Sequence, residues 1–179
     1  MNIPQKNEAS LLKRAKNGDK DAFNLMVIKY QPRIMSVLYG FLKTHSDAED
    51  LTQQTFIKAW INLEKFRGDS SFYTWIYRIA INLAKNFVKK PSTQFEKTSI
   101  SIDEHHYDLP EDLDPLSVIS RNQLKIELDT FISSMPEKLK TAFVLREYEG
   151  KSYEEIASIT DCPIGTIRSR ICLLYTSDA

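Results

Sequence analysis

The sequence predicts an all-α protein built as two small helical domains joined by a flexible acidic linker. Three observations lead there. Apolar residues recur at three- and four-residue spacing through most of the chain, the period of an amphipathic helix. Only 5 of the 179 residues are glycine, while 42 % are hydrophobic and 27 % charged, a balance that excludes both a disordered chain and a turn-rich β fold. The helical period fails over residues 91–115, "PSTQFEKTSISIDEHHYDLPEDLDP", where prolines, serines and acids gather. The expected division is a first domain over 1–90, a linker over 91–115 and a second domain over 116–179.

Net charge is zero overall but unevenly spread: +7 over residues 1–90, −6 over 91–120 and −1 over 121–179. A basic first domain suits a polyanionic partner, and the acidic segment behind it suits a connector held off the phosphates. No apolar run reaches the roughly 20 residues that span a bilayer, and the first residues lack the layout of a signal peptide, so a cytoplasmic protein is expected. Cys162 and Cys172 have no CxxC spacing, and His45, His105 and His106 form no ligand set with them; no metal, disulfide framework or cofactor is expected.

In the first domain, "EASLLKRAKNG" places Leu11, Leu12 and Ala15 on one helical face and stops at Gly18. A long second helix follows from Asp21 to about Lys43, with Pro32 expected to bend it or start a new turn. Ser46 and Glu49 have capping-box spacing and predict the start of a third helix, running to about Leu63. It sets Asp47, Glu49, Asp50, Gln53, Gln54 and Lys58 against Leu51, Phe56, Ile57, Trp60 and Leu63. Gly68 and its polar neighbours make a turn, and a fourth helix reaches Lys90 before Pro91.

In the second domain the helical period returns from Leu116, breaks at Pro136 and ends again at Gly150. Ser152 and Glu155 repeat the capping-box spacing. Ile156, Ala157 and Ile159, then a turn at "TDCP", then Ile164, Ile167 and Ile171 give the layout of a helix-turn-helix, a layout that a plain helical hairpin shares.

The fourth helix carries two distinct faces. Phe72, Ile76, Ile79, Leu83 and Phe87 fall within an arc of about 80° and are read as core, whereas Trp75, Arg78, Asn82, Lys85 and Lys89 share another such arc. A ring, cations and a carboxamide together suit single-stranded nucleic acid, because bases stack on aromatic rings while cations follow phosphates. A solvated face with a half-buried tryptophan accounts for the same residues. Tyr73 and Tyr77 point in a third direction, expected at the core edge with exposed hydroxyls. The acid pairs Asp47/Glu49 and Glu154/Glu155 lie in first helical turns, where capping and the helix dipole explain them, so no catalytic residue is assigned.

Two long stretches, "DAEDLTQQTFIKAWINLEKFRGDSSFYTWIYRIAINLAKNF" and "LREYEGKSYEEIASITDCPIGTIRSRI", closely resemble the extracytoplasmic-function sigma factors, particularly the sigma-E-like group. The resemblance implies that the first domain, sigma region 2, binds the promoter −10 element and the β′ coiled coil of core RNA polymerase. The second, sigma region 4, reads the −35 element. It implies further that Asn82 accommodates a flipped −10 base, with Ser70, Ser71, Phe72, Tyr73 and Thr74 shaping its pocket, and that Arg78, Lys85 and Lys58 meet phosphates beside Trp75. Asp50, Gln53, Gln54 and Lys58 correspond to polymerase-contacting positions, and Thr166, Arg168, Ser169 and Arg170 to −35-reading ones. An anti-sigma partner is implied as well, with no stable homo-oligomer. Where the family continues with a basic amphipathic helix, this chain reads "CLLYTSDA", which implies a region 4 truncated or altered after Ile171. The expected function is promoter selection for core polymerase, in a stress regulon; the alternative is an autonomous helix-turn-helix regulator, which would show a dimerisation seam.

Overall fold

The computed structural model describes residues 5–42, 44–89 and 130–176, with positions 123, 127 and 128 between them. The predicted linker and the helical start at Leu116 lie outside the described residues. Four helices form the first unit: α1 (Gln5–Lys16), α2 (Lys20–Leu42), α3 (His45–Ile61) and α4 (Phe72–Val88), with a 3-10 turn at Leu63–Lys65 before α4. The second unit holds α5 (Glu137–Glu147), α6 (Tyr153–Thr160) and α7 (Ile164–Thr176), preceded by a helical segment over residues 130–134.

Asp19 separates α1 from α2 by accepting the Ala22 backbone N–H on its carboxylate at 3.0 Å, an N-terminal cap. That bond and the Arg14 guanidinium hold the Asp19 carboxyl below its usual pKa. The helix then runs as one element through Pro32, where the sequence predicts a bend or the start of a new turn. Pro32 and Ile28 both lie on the outer surface, Ile28 being 67 % exposed, so the carbonyl that loses its donor opens to solvent rather than to the core. Opposite that surface, Met26, Tyr30, Ile34, Val37 and Leu38 form the centre of the unit, each buried apolar side chain contributing about 2 kcal/mol. Leu51 and Phe56 of α3 and Ile76, Ala80 and Leu83 of α4 close over them.

The predicted Ser46 cap is corrected. Thr44 is the extended residue before α3, at φ −108° and ψ 136°, and its hydroxyl turns to the Asp47 carboxylate at 2.5 Å, which leaves Ser46 inside the first turn. The helix ends at Ile61 rather than Leu63, and Leu63 passes into the 3-10 turn. Ile57, read as apolar packing, is 58 % exposed; it projects about 40° from Gln53 and so shares the polar side of α3.

The capping box at α6 forms as the spacing predicts. The Ser152 hydroxyl accepts the Glu155 N–H at 3.1 Å, and the Glu155 carboxylate accepts the Ser152 N–H at 2.8 Å. Asp161 then adopts a left-handed conformation, φ 55°, which turns the chain into α7. Ile156, Ile159, Ile167 and Ile171 pack inward beneath Val144 and Leu145 of α5. The helix continues five residues past Ile171, to Thr176.

The two units share one buried cluster, reached through α2 against α5 and α4 against α6. The first crossing is close because residue 40 is glycine: a Cβ there would stand 2.8 Å from Val144 Cγ1. Nearby, Lys140 Nζ donates to the Phe41 carbonyl at 2.7 Å.

Candidate nucleic-acid interface

Helix α4 starts at a fixed point. Gly68 takes φ 83° in the preceding turn, and Ser71 caps the helix by accepting the Thr74 N–H at 3.1 Å. Trp75 is half-buried in an aromatic group, its ring 5.1 Å from Phe66 and 5.6 Å from Phe72. Phe72 and Thr74 are buried, so they shape this end of the helix from below; Ser70 and Ser71 stand at its surface.

One turn further on, Arg78, Ile81, Asn82 and Lys85 line one wall of a cleft of roughly 240 Å³. Ile159, Thr160 and Asp161 line the other. Asn82 is exposed, and its neighbours carry the cations a phosphate backbone requires. Each cation is held from the second unit: Arg78 donates from Nε and Nη2 to the Ser158 carbonyl at 3.1 and 2.6 Å, while Lys85 and Lys89 pair with Glu137 at 3.5 and 3.2 Å. Partial burial works to raise the Glu137 pKa, but the Lys89 and Lys85 ammoniums outweigh it and hold the carboxyl below its usual range. The structure thus gathers Arg78, Asn82 and Lys85 in one place, leaves Trp75 in the aromatic group nearer the helix start, and keeps Lys58 outside the cleft, on α3.

The expectation of exposed tyrosine hydroxyls is corrected. Tyr77 is fully buried, and its hydroxyl donates to Glu149 Oε2 at 2.7 Å; the Tyr73 hydroxyl is buried with no hydrogen-bond acceptor or donor among the described residues. Lys151, 6 % exposed, seals both rings, with its ammonium 4.3 Å from the Tyr73 centroid, 5.4 Å from that of Tyr77 and 3.9 Å from Glu149. Burial lowers the Lys151 pKa against the opposing pull of Glu149. These residues were not legible as a group because the second unit, not α4 itself, buries them.

Two other surfaces carry predicted residues. On α3, Asp50, Gln53, Gln54 and Lys58 are all exposed, and sequence reasoning missed that Ile57 and Ile61, 58 % and 68 % exposed, stand among them. Counting 100° per residue from Gln53 would have placed both there. On α7, Arg168 and Ser169 are exposed, Thr166 is partly covered, and Arg170 turns its Nη1 toward Cys162 Sγ at 3.5 Å. Among the described residues no His/Cys/Asp/Glu group could hold a metal ion, and no helix is long and apolar enough to cross a membrane.

Both units match known families: residues 26–93 fit the model of sigma-70 region 2, and residues 125–173 that of sigma-70 region 4. The chain belongs to the sigma-70 family of RNA polymerase sigma factors. It is 42 % identical over 166 residues to the ECF RNA polymerase sigma-E factor of Escherichia coli, spanning 90 % of this chain and 86 % of that one. It is 40 % identical over 174 residues to the RNA polymerase sigma-H factor of Pseudomonas aeruginosa, spanning 94 % and 90 %. Its fold is similar to that of CnrH, solved in complex with the cytosolic domain of CnrY, with a TM-score of 0.65 at 18 % identity over 97 % of this chain and 99 % of that one. The likeness in sequence places the chain in the ECF group and makes it a sigma factor, a transcription initiation factor, rather than an autonomous regulator.

Proposed function

We propose that the Arg78, Asn82 and Lys85 face of α4 reads the −10 element as the duplex melts, with Asn82 receiving one unstacked base and the cations following the strand. The observation that carries this is the exposed Asn82 carboxamide flanked by Arg78 and Lys85 on one wall of the cleft. A carboxamide can hydrogen-bond the edge of an extruded base, and the neighbouring charges supply the sequence-independent part of binding. The aromatic group of Phe66, Phe72 and Trp75 braces the helix start, and Ser70, Ser71, Phe72, Tyr73 and Thr74 shape the pocket from the loop and the first helical turn.

The −35 element falls to α7, whose first turns present Thr166, Arg168, Ser169 and Arg170 as a recognition helix does in the major groove. Core polymerase, through the β′ coiled coil, falls to the α3 surface of Asp50, Gln53, Gln54 and Lys58. The protein acts in the cytoplasm, carries no active site of its own, serves a stress regulon and is held in check by an anti-sigma partner. Its first domain spans 1–90 and its second 116–179.

The test is selectivity. With Asn82→Ala in reconstituted holoenzyme, discrimination at one −10 position falls by about tenfold or more, the loss of one base contact, while other positions keep theirs. An even loss across all −10 sequences would remove Asn82 from the reading role.

A further inference from the structure

The arc of α4 that carries Trp75, Asn82 and Lys89 also carries Asn86. Four residues after Asn82, it projects about 40° from it and stands about 6 Å further along the axis. Asn86 is exposed, and among the described residues its carboxamide enters no hydrogen bond. An asparagine near a helix end can serve its own backbone, as Asn62 does after α3 by donating from Nδ2 to the Lys58 carbonyl at 2.8 Å. Asn86 makes no such bond, and asparagine is a weak helix former inside a helix, so neither capping nor propensity accounts for it. It also lies outside the cleft, whose α4 wall is Arg78, Ile81, Asn82 and Lys85. Viewed down the helix from Trp75, the cations and Asn82 fall to one side and Asn86 to the other.

We propose that Asn86 is a second base-reading residue, pairing with the N6 amino group and N7 of an adenine in the strand that Asn82 engages, one to two base steps away. This rests on the −10 reading above. Adenine offers a donor at N6 beside an acceptor at N7, and a carboxamide answers both, Oδ1 accepting from the first and Nδ2 donating to the second. The step follows from the spacing, because the two asparagines lie about 6 Å apart along the axis and stacked bases about 3.4 Å apart along a strand. Arg78, Lys85 and Lys89 line one edge of the arc. A strand whose phosphates follow that edge turns its bases across the helix, toward Asn82 and then Asn86.

The test uses reconstituted holoenzyme on a promoter library with every base at each −10 position, read by sequencing the transcripts made. Asn86→Ala is expected to lose preference for adenine at one position by about tenfold, one or two steps from the position lost in Asn82→Ala, while other positions keep theirs. Asn86→Asp keeps the shape without the Nδ2 donor and should show the same loss. Placing 7-deazaadenine at that position removes the N7 acceptor; it should reproduce most of the loss with the unaltered protein and add nothing to Asn86→Ala. An unchanged profile, an even loss across all positions or a loss at the Asn82 position would each overturn the proposal. So would adenine preference retained in Asn86→Asp, or a 7-deazaadenine penalty that persists in Asn86→Ala. Such a failure leaves the −10 reading intact so long as Asn82→Ala loses its own position, whereas an even loss in Asn82→Ala with one position lost in Asn86→Ala removes Asn82 alone.

Discussion

Tyr77 on α4 and Glu149 after α5 lie 72 positions apart, yet the tyrosine hydroxyl donates to the carboxylate at 2.7 Å in a site where neither side chain meets much solvent. It is a polar contact between the two units, made by a fully buried tyrosine. Lys151 completes it, so a phenol, a carboxylate and an ammonium share one buried seam.

Tyr77→Phe removes the donor and leaves the Glu149 carboxylate with the more distant ammonium of Lys151. A hydrogen bond to a buried charge is worth about 2 kcal/mol, so the melting midpoint of the full chain drops by about 6 °C. Differential scanning calorimetry measures this directly, and an unchanged midpoint would mean that the two units are not in contact in solution.

Stability should also fail at alkaline pH. Burial raises the phenol pKa of Tyr30, Tyr73 and Tyr77 well above the ordinary 10.0, helped by Glu8 at Tyr30 and Glu149 at Tyr77. Unfolded tyrosines shed protons near that pH while the native ones keep theirs, so their contribution is intact below it and is lost as pH rises beyond. Lys151 acts in the opposite sense: its lowered pKa means the native chain sheds a proton first, adding stability as pH approaches 10.5. Three groups outweigh one, and each contributes a slope of about 1.4 kcal/mol per pH unit where it differs between states. Urea midpoints should fall between about pH 10 and about pH 12, and less steeply in Tyr77→Phe.

The α3 surface makes a different prediction. Ile57 and Ile61 are exposed, so Ile57→Asp and Ile61→Asp leave folding stability within about 0.5 kcal/mol. If core polymerase docks on α3 as proposed, the same changes weaken its binding by about tenfold or more, since a charge then enters an apolar contact. Gel-shift titration of core enzyme measures it; unchanged affinity would move the docking site elsewhere.

Local chemistry was readable and partnership was not. Ser152 and Glu155 declare the start of α6 because both halves of the cap lie within four residues, and the opposed stripes of α6 and α7 follow from period alone. Ser46 and Glu49 have the same spacing, but Thr44 takes the extended conformation first and uses its hydroxyl on Asp47. Arg78, Asn82 and Lys85 could be grouped from helical angle, and the structure gathers them. Tyr77 could not be assigned, because α4 taken alone leaves it at an edge and only the arrival of Glu149 and Lys151 buries it. Ile57 misleads for the converse reason: its apolar side chain suggests an inward face, while it stands exposed beside glutamines that face out.

The buried cluster that runs from Leu11 to Ile171 has a thermal consequence. The first unit contributes four helices, whereas the second is the smaller one, and a domain of about 60 residues buries only about 60 % of the surface its unfolded chain exposes and is correspondingly marginal. While the units touch, heating should give a single calorimetric transition. Once they part, the smaller one should lose its cooperative peak at lower temperature, becoming the more protease-sensitive half of the molecule.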